Sequence, residues 1–155
     1  MIVCCRGRSS VTDRVSHGPP ADTLGPLLQR AKPPGLVAAY LFGSHAEGRA
    51  HRESDVDVAL LLDLAVHPGP EARFEERVRV SAWLAGELGT NAVDVVILND
   101  APPTLARRIV TTGVRLYCSD PEAHHAFVRD VQLRAADLEP FLRRARRLKL
   151  AAIER

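Results

Sequence analysis

Two aspartates at the start of an otherwise apolar run constrain this chain more than any other feature. Asp55 and Asp57 lead into a stretch that continues without another charge to Leu62. Alternate side chains of a β-strand point to the same face, so the two carboxylates lie side by side, roughly 6–7 Å apart. Because burial of unpaired charges is unfavourable, something positive should lie between them. A divalent metal ion is the simplest candidate.

A Gly–Ser pair precedes these aspartates by ten residues. Gly43 and Ser44 follow a second apolar run, which predicts a strand, a tight turn and a short helix starting at Ser44. The first N–H groups of a helix are unpaired and its dipole favours an anion, so this turn is a candidate phosphate site. Arg49 and Arg52, which follow, are either neutralising groups for a polyphosphate or part of a solvated loop.

A third acid lies inside another aliphatic run. Asp94 is flanked by Val93 and Val95, which predicts a further strand. Neighbouring strands lie about 4.8 Å apart, so Asp94 can complete a cluster with Asp55 and Asp57. Magnesium prefers oxygen ligands, shared between carboxylates and substrate phosphates. We therefore predict that these three aspartates bind metal, while an edge strand that merely carries acids remains the alternative.

The rest of the chain alternates strands with helices, which indicates an α/β or α+β fold with helices packed on a small sheet. Residues 1–20 are polar and aperiodic and are predicted to be a disordered extension, with one domain over residues 21–155. The predicted strands are residues 36–42, 55–62, 92–98 and 114–118, and the longer helices cover 71–88, a segment opened by Pro102 and Pro103, and the tail from Glu122. In the first of these helices the spacing predicts a buried face made of Phe74, Val78, Ala82 and Ala85.

Composition restricts the function less than the motifs do. The formal charge of +2 is too small to argue for nucleic acid or membrane, and no apolar run approaches the ~20 residues of a membrane span. Three cysteines without metal-ligand spacing fit a reducing cytoplasm. A basic stretch, residues 143–149, indicates a solvated helix face or a surface for an acidic partner or RNA held by that partner. Without interleaved aromatic residues, direct nucleic-acid binding is not expected.

The Gly–Ser pair, the ten-residue spacer and the Asp-x-Asp motif resemble the minimal nucleotidyltransferases of the DNA polymerase β superfamily. Gly43, Ser44, Asp55 and Asp57 match that signature, and Asp94 matches its third carboxylate in order and context. The resemblance covers about residues 22 to 150 and implies a small mixed sheet flanked by helices, with a C-terminal amphipathic helix. Where loops of this family often carry arginines after Gly–Ser, this chain has His45 and Glu47.

Small stand-alone members of that superfamily are commonly the antitoxins of HEPN–MNT toxin–antitoxin pairs. The resemblance implies transfer of AMP from ATP to a tyrosine of a HEPN ribonuclease toxin, with two Mg²⁺ ions held by Asp55 and Asp57. Asp94 would share the catalytic ion and accept the proton of the acceptor, and Gly43 and Ser44 would fix the outer phosphates. Two alternatives stay open: an antitoxin that acts by binding alone, and nucleotidyl transfer to a small hydroxylated molecule such as an aminoglycoside.

Overall fold

The computed structural model describes residues 19–50 and 54–153. The extension expected over residues 1–20 therefore falls almost entirely outside the described residues, as does the candidate phosphate ligand Arg52. In chain order the described elements are α1 (Pro19–Ala31), β1 (Leu36–Phe42), α2 (Gly43–Ala46), β2 (Val56–Leu62), α3 (Pro70–Leu88), β3 (Val93–Ile97), α4 (Pro103–Thr112), β4 (Val114–Cys118) and α5 (Pro121–Ile153).

The four strands form one mixed sheet in the order β3-β2-β1-β4. Strand β1 is antiparallel to both β2 and β4, whereas β2 and β3 are parallel. The parallel pair is joined through α3, the kind of crossover that parallel strands require. This architecture confirms the predicted mixed sheet flanked by helices.

Hydrophobic side chains project from both faces of the sheet, and helices cover each face. On one face, Leu24 and Leu28 of α1 and Val80 and Leu84 of α3 pack against the sheet. On the other face, α4 contributes Ala106 and Ile109, and α5 contributes Val131. The molecule is therefore a three-layer sandwich, and β2 lies in its middle layer with a strand on either side.

The predicted buried face of α3 is wrong. Phe74 and Val78 are 60% and 52% exposed, while Val80 and Leu84 are buried. The buried face also includes Arg73, whose guanidinium donates hydrogen bonds to the Asp100 carboxylate at 2.6–3.0 Å and to two backbone carbonyls at 3.3 Å. Because these partners satisfy the charge, an arginine takes a position that the hydrophobic pattern reserves for an apolar residue.

Helix α5 is one continuous helix of 33 residues, and Pro140 inside it does not end it. Its first half packs on the sheet through Val131, and Ala135 one turn further along is also buried. Its second half exposes large apolar residues beside the basic stretch, namely Phe141, Leu148 and Leu150. None of the helices in the described ranges is long and apolar enough to cross a membrane.

Candidate active site

The register of the sheet places three residues of three strands in one row. Phe42 of β1 pairs with Asp57 of β2, and Asp57 pairs with Asp94 of β3. Ala59 and Leu61 belong to the core under α4 and α5, and side chains alternate along a strand, so Asp57 faces that same side. Asp55 precedes the first residue of β2 and is exposed, and Asp57 is half-buried. The structure thus pairs Asp57 with Asp94, and Asp55 lies just before the first residue of β2.

Gly43 lies directly against the carboxylate of Asp57. Its φ of +70° belongs to the left-handed region, and a Cβ built on it would lie 2.1 Å from Asp57 Oδ2. No other residue type fits this position without moving the aspartate. The short helix predicted to start at Ser44 is a single turn, Gly43–Ala46, and Ser44 directly follows the glycine that lies against Asp57.

Negative charge is concentrated around Asp57. Burial raises the pKa of its carboxyl group, and the neighbouring Asp94 and Asp55 raise this pKa further, while His45 acts in the opposite direction. The ionised form of Asp57 is therefore disfavoured by its surroundings. A bound cation would relieve this penalty.

The residues present fit Mg²⁺, because Asp57 and Asp94 offer carboxylate oxygens beside the Gly43–Ser44 turn, whose N–H groups are suited to phosphates. Within residues 19–50 and 54–153, however, no three His, Cys, Asp or Glu side chains are grouped closely enough to hold a metal ion. Asp94 Oδ1 instead lies 3.5 Å from Nη2 of Arg77, on α3. The three-aspartate metal site stays a prediction.

His45 connects the Gly–Ser turn to the acidic strand. Its Nε2 lies 3.2 Å from the backbone carbonyl of Ser54, the residue before Asp55. This contact fixes the start of β2 relative to α2, so His45 supports the site from the position where family loops often carry arginine. The sequence shows a histidine at this position, but it gives no indication that the carbonyl of Ser54 is the hydrogen-bond partner of His45.

Glu47 forms ion pairs with two arginines beside the Gly43–Ser44 turn. Its carboxylate contacts Arg49 and also accepts a hydrogen bond from Arg108 Nη2 at 3.0 Å. Arg49, predicted to bind phosphate, is exposed and also donates its backbone N–H to the carbonyl of Ser44. Arg108 lies on α4, more than sixty residues along the chain, and sequence reasoning missed it because only the fold brings it to this turn.

A small cavity of about 120 Å³ opens next to Gly43. Phe42, Leu105 and Ile109 give it an apolar lining, and Glu47, Arg108 and Thr112 supply the polar groups. It is smaller than the pockets of several hundred Å³ that enclose whole ligands. This cavity can take one group of a ligand that extends over the acidic row.

The fold and this site together define a nucleotidyltransferase domain. Residues 26–122 match the family described as "Polymerase beta, Nucleotidyltransferase", and the chain belongs to that family. Among individual proteins, it is 36% identical to the protein adenylyltransferase MntA of Shewanella oneidensis over 90 residues, which are 58% of this chain and 60% of that protein. The chain thus spans less than two thirds of that relative's length.

Solved structures show the same arrangement over most of the chain. A chain of a toxin–antitoxin crystal structure with AMP-PNP superposes with a TM-score of 0.59 and 28% identity, covering 87% of this chain and 98% of the other. A chain of the toxin–antitoxin MntA–HepT superposes with a TM-score of 0.52 and 25% identity, covering 87% and 97%. The similarity therefore extends beyond the family match into α5.

Proposed function

We propose that this protein is an Mg²⁺-dependent adenylyltransferase that transfers AMP from ATP to a tyrosine of a HEPN ribonuclease toxin and so acts as its antitoxin. The observation that carries the proposal is the row of Asp57 and Asp94 with the Gly43 turn packed against Asp57. Similarity to a protein adenylyltransferase, and to a toxin–antitoxin structure with an ATP analogue, supports this activity and partner. We propose that the reaction takes place in the cytoplasm, which the cysteine content of the chain favours.

In this proposal Asp55, Asp57 and Asp94 hold Mg²⁺, which when bound would stabilise the charge on the phosphate oxygens. The tyrosine oxygen attacks the α-phosphorus of ATP, the new O–P bond forms, and the bond to pyrophosphate breaks. Asp94 accepts the proton of the tyrosine hydroxyl, since it is exposed on an edge strand and can be reached by the acceptor. The products are the AMP-tyrosine ester and pyrophosphate.

The Gly43–Ser44 turn binds the outer phosphates in the same scheme. Gly43 allows close approach because it carries no side chain, and the Ser44 hydroxyl donates to a phosphate oxygen. Arg49 contributes positive charge from the exposed rim, held there by Glu47. Arg52, outside the described residues, is proposed for the same role on the sequence alone.

The test is the intact mass of the purified HEPN toxin after incubation with this protein, ATP and Mg²⁺. We expect mass added in steps of one AMP unit, and none with Asp57→Asn as the control. If the two proteins form a stable complex and no mass is added, the toxin is neutralised by binding alone. Equal mass gain with wild type and Asp57→Asn would refute the assigned site.

A further inference from the structure

A second and larger depression lies between α4 and α5. It has a volume of about 390 Å³, within the range of ligand-binding sites. We call it the α4–α5 groove and define it by its charged lining residues, Arg107, Arg108, Glu139, Arg143 and Arg146. Nothing in the proposed chemistry uses it.

The groove is joined to the candidate active site. Arg108 and Thr112 line both the groove and the small cavity beside Gly43. The groove therefore continues to the cavity beside Gly43, the residue that lies against Asp57. This continuity distinguishes the groove from an isolated surface depression.

Positive charge predominates in the groove. Four arginines line it, and Glu139 is its one acidic residue within the described part of the chain. Glu139 accepts a hydrogen bond from Arg143 at 2.6 Å and lies 3.5 Å from Arg107. Arg108 pairs with Glu47 outside the groove, whereas Arg146 makes no ion pair within residues 19–50 and 54–153, so the groove keeps positive charge that attracts an anionic group after these pairs have formed.

The remaining lining residues favour a polypeptide over a nucleic acid. Leu142, which is partly exposed, gives the groove an apolar contact for an aliphatic side chain. No aromatic residue of the described chain lines it, so it offers no surface on which bases stack. Glu139 would also repel a continuous phosphate backbone, whereas a peptide can alternate acidic and neutral positions.

From this combination we propose that the α4–α5 groove binds an acidic segment of the acceptor protein and leads that protein toward the active site. The proposal rests on the proposed function, because it assigns the protein substrate of the same reaction to this surface. Acceptors are then selected by an acidic segment as well as by the modified tyrosine.

The chain offers a closely matched pair of variants. Arg146 lines the groove, while Arg147 is exposed and does not line it. Neighbouring helix positions point about 100° apart, so Arg146→Glu and Arg147→Glu make the same charge change on different sides of α5. Binding of a fluorescein-labelled peptide of alternating Glu and Ala is measured by anisotropy for the wild type and both variants.

We expect Arg146→Glu to weaken peptide binding about tenfold or more, and Arg147→Glu to change it by less than about twofold. With the HEPN toxin as acceptor, Arg146→Glu should raise the KM for the toxin and leave the KM for ATP unchanged. Equal losses in both variants, loss in neither, or no peptide binding by the wild type would overturn the proposal.

Two further measurements separate the alternatives. Tighter binding of a labelled oligouridylate than of the peptide, lost in Arg146→Glu, would reassign the groove to RNA and overturn the proposal. Calorimetric titration of the wild type with ATP and Mg²⁺ tests the proposed function independently. Absence of ATP binding would refute the adenylyltransferase, and the peptide result would still decide whether the groove binds acidic chains.

Discussion

At the scale of single residues, the contact between Gly43 and Asp57 links the Gly43–Ser44 turn to the acidic row. The glycine has no side chain at the point where a Cβ would overlap the Asp57 carboxylate. Two separate requirements therefore fall on one residue, a positive φ and an absent side chain. The positive φ at Gly48 imposes only the first, because a Cβ there would meet nothing within 4 Å.

We predict that Gly43→Ala costs more stability than Gly48→Ala and also weakens ATP binding. Both variants place alanine at a φ near +70°, which costs about 1–2 kcal/mol. Only Gly43→Ala must also displace Asp57. Urea unfolding and ATP titration check the pair, and equal effects of the two substitutions would show that the contact with Asp57 is unimportant.

A second residue-scale prediction concerns pH. Since the pKa of Asp57 is raised in the folded protein, the site contributes stability that is present at low pH and lost as pH rises through that pKa. Without metal, we expect Asp57→Asn to flatten this part of the curve of unfolding free energy against pH. We also expect AMP transfer to fall about a thousandfold or more, since charge stabilisation at the reacting phosphate is lost.

Urea unfolding at a series of pH values in the presence of EDTA, with Asp63→Asn as an exposed control, measures the stability effect. Asp63 lies just beyond the other end of β2 and away from the acidic row. Identical pH profiles for wild type and Asp57→Asn would contradict the electrostatic account. Full activity of Asp57→Asn would contradict its catalytic role.

At the scale of elements, α3 shows where pattern reading fails. The spacing of Phe74 and Val78 suggested an apolar face, yet both are exposed, and Arg73 and Glu76 are buried with Val80. Glu76 is satisfied by Arg79 one turn along, and Arg73 by Asp100 from the segment between β3 and α4. Asp100 is distant from Arg73 in the sequence, so this contact leaves no periodic signal in the helix, and the burial of Arg73 could not be predicted from the residues of α3 alone.

The corrected orientation of α3 makes a direct prediction. Val80→Ala should destabilise the protein by about 2 kcal/mol, because Val80 is 2% exposed and packs in the core under α1 and α3. Val78→Ala, the same chemical change two residues away at 52% exposure, should cost less than about 0.5 kcal/mol. Thermal or urea unfolding of both variants measures these losses of stability. A larger loss for Val78→Ala than for Val80→Ala would show that the face with Phe74 and Val78 is the buried face of α3.

At the scale of the whole molecule, a buried polar contact joins the sheet to α5. The Tyr40 hydroxyl of β1 hydrogen-bonds Nε2 of His124, and both side chains are buried. Burial lowers the pKa of His124 to about 4, with further lowering by Arg115 and His125. It also raises the pKa of Tyr40 to about 12. Both groups therefore remain neutral in the folded protein near pH 7.

The buried contact between Tyr40 and His124 predicts how the free energy of unfolding changes at acidic pH. A lowered His pKa means that stability is fully present above the ordinary value of 6.5 and is lost as pH falls toward 4. We expect the unfolding free energy to decline over this window in the wild type and to decline less in His124→Phe. His125→Gln removes only the smallest of the three contributions to this lowered pKa, so it should retain most of the wild-type decline. A decline unchanged in His124→Phe would assign acid unfolding to other groups.

The sequence allowed the order of strands and helices, the Gly–Ser turn and the aspartate row to be predicted, because these depend on local patterns and on the strand repeat. The pairing of Asp57 with Asp94 followed from placing two aliphatic runs side by side. The sequence did not allow prediction of the contacts of Glu47 with Arg108 or of His45 with Ser54. Such contacts depend on how α4 and the turn before β2 settle on the sheet, and no residue pattern records that geometry.

The pairing of β2 with β3 has one more consequence. If β3 docked one residue out of step, Val93 or Val95 would take the place of Asp94 opposite Asp57, and the aspartate would point to the opposite face. Such a misaligned chain would retain its helices and most of its circular dichroism signal while losing the proposed AMP transfer. The specific activity of a purified sample therefore counts correctly aligned molecules, and it serves as a stricter test of refolding than any spectroscopic measure of secondary structure.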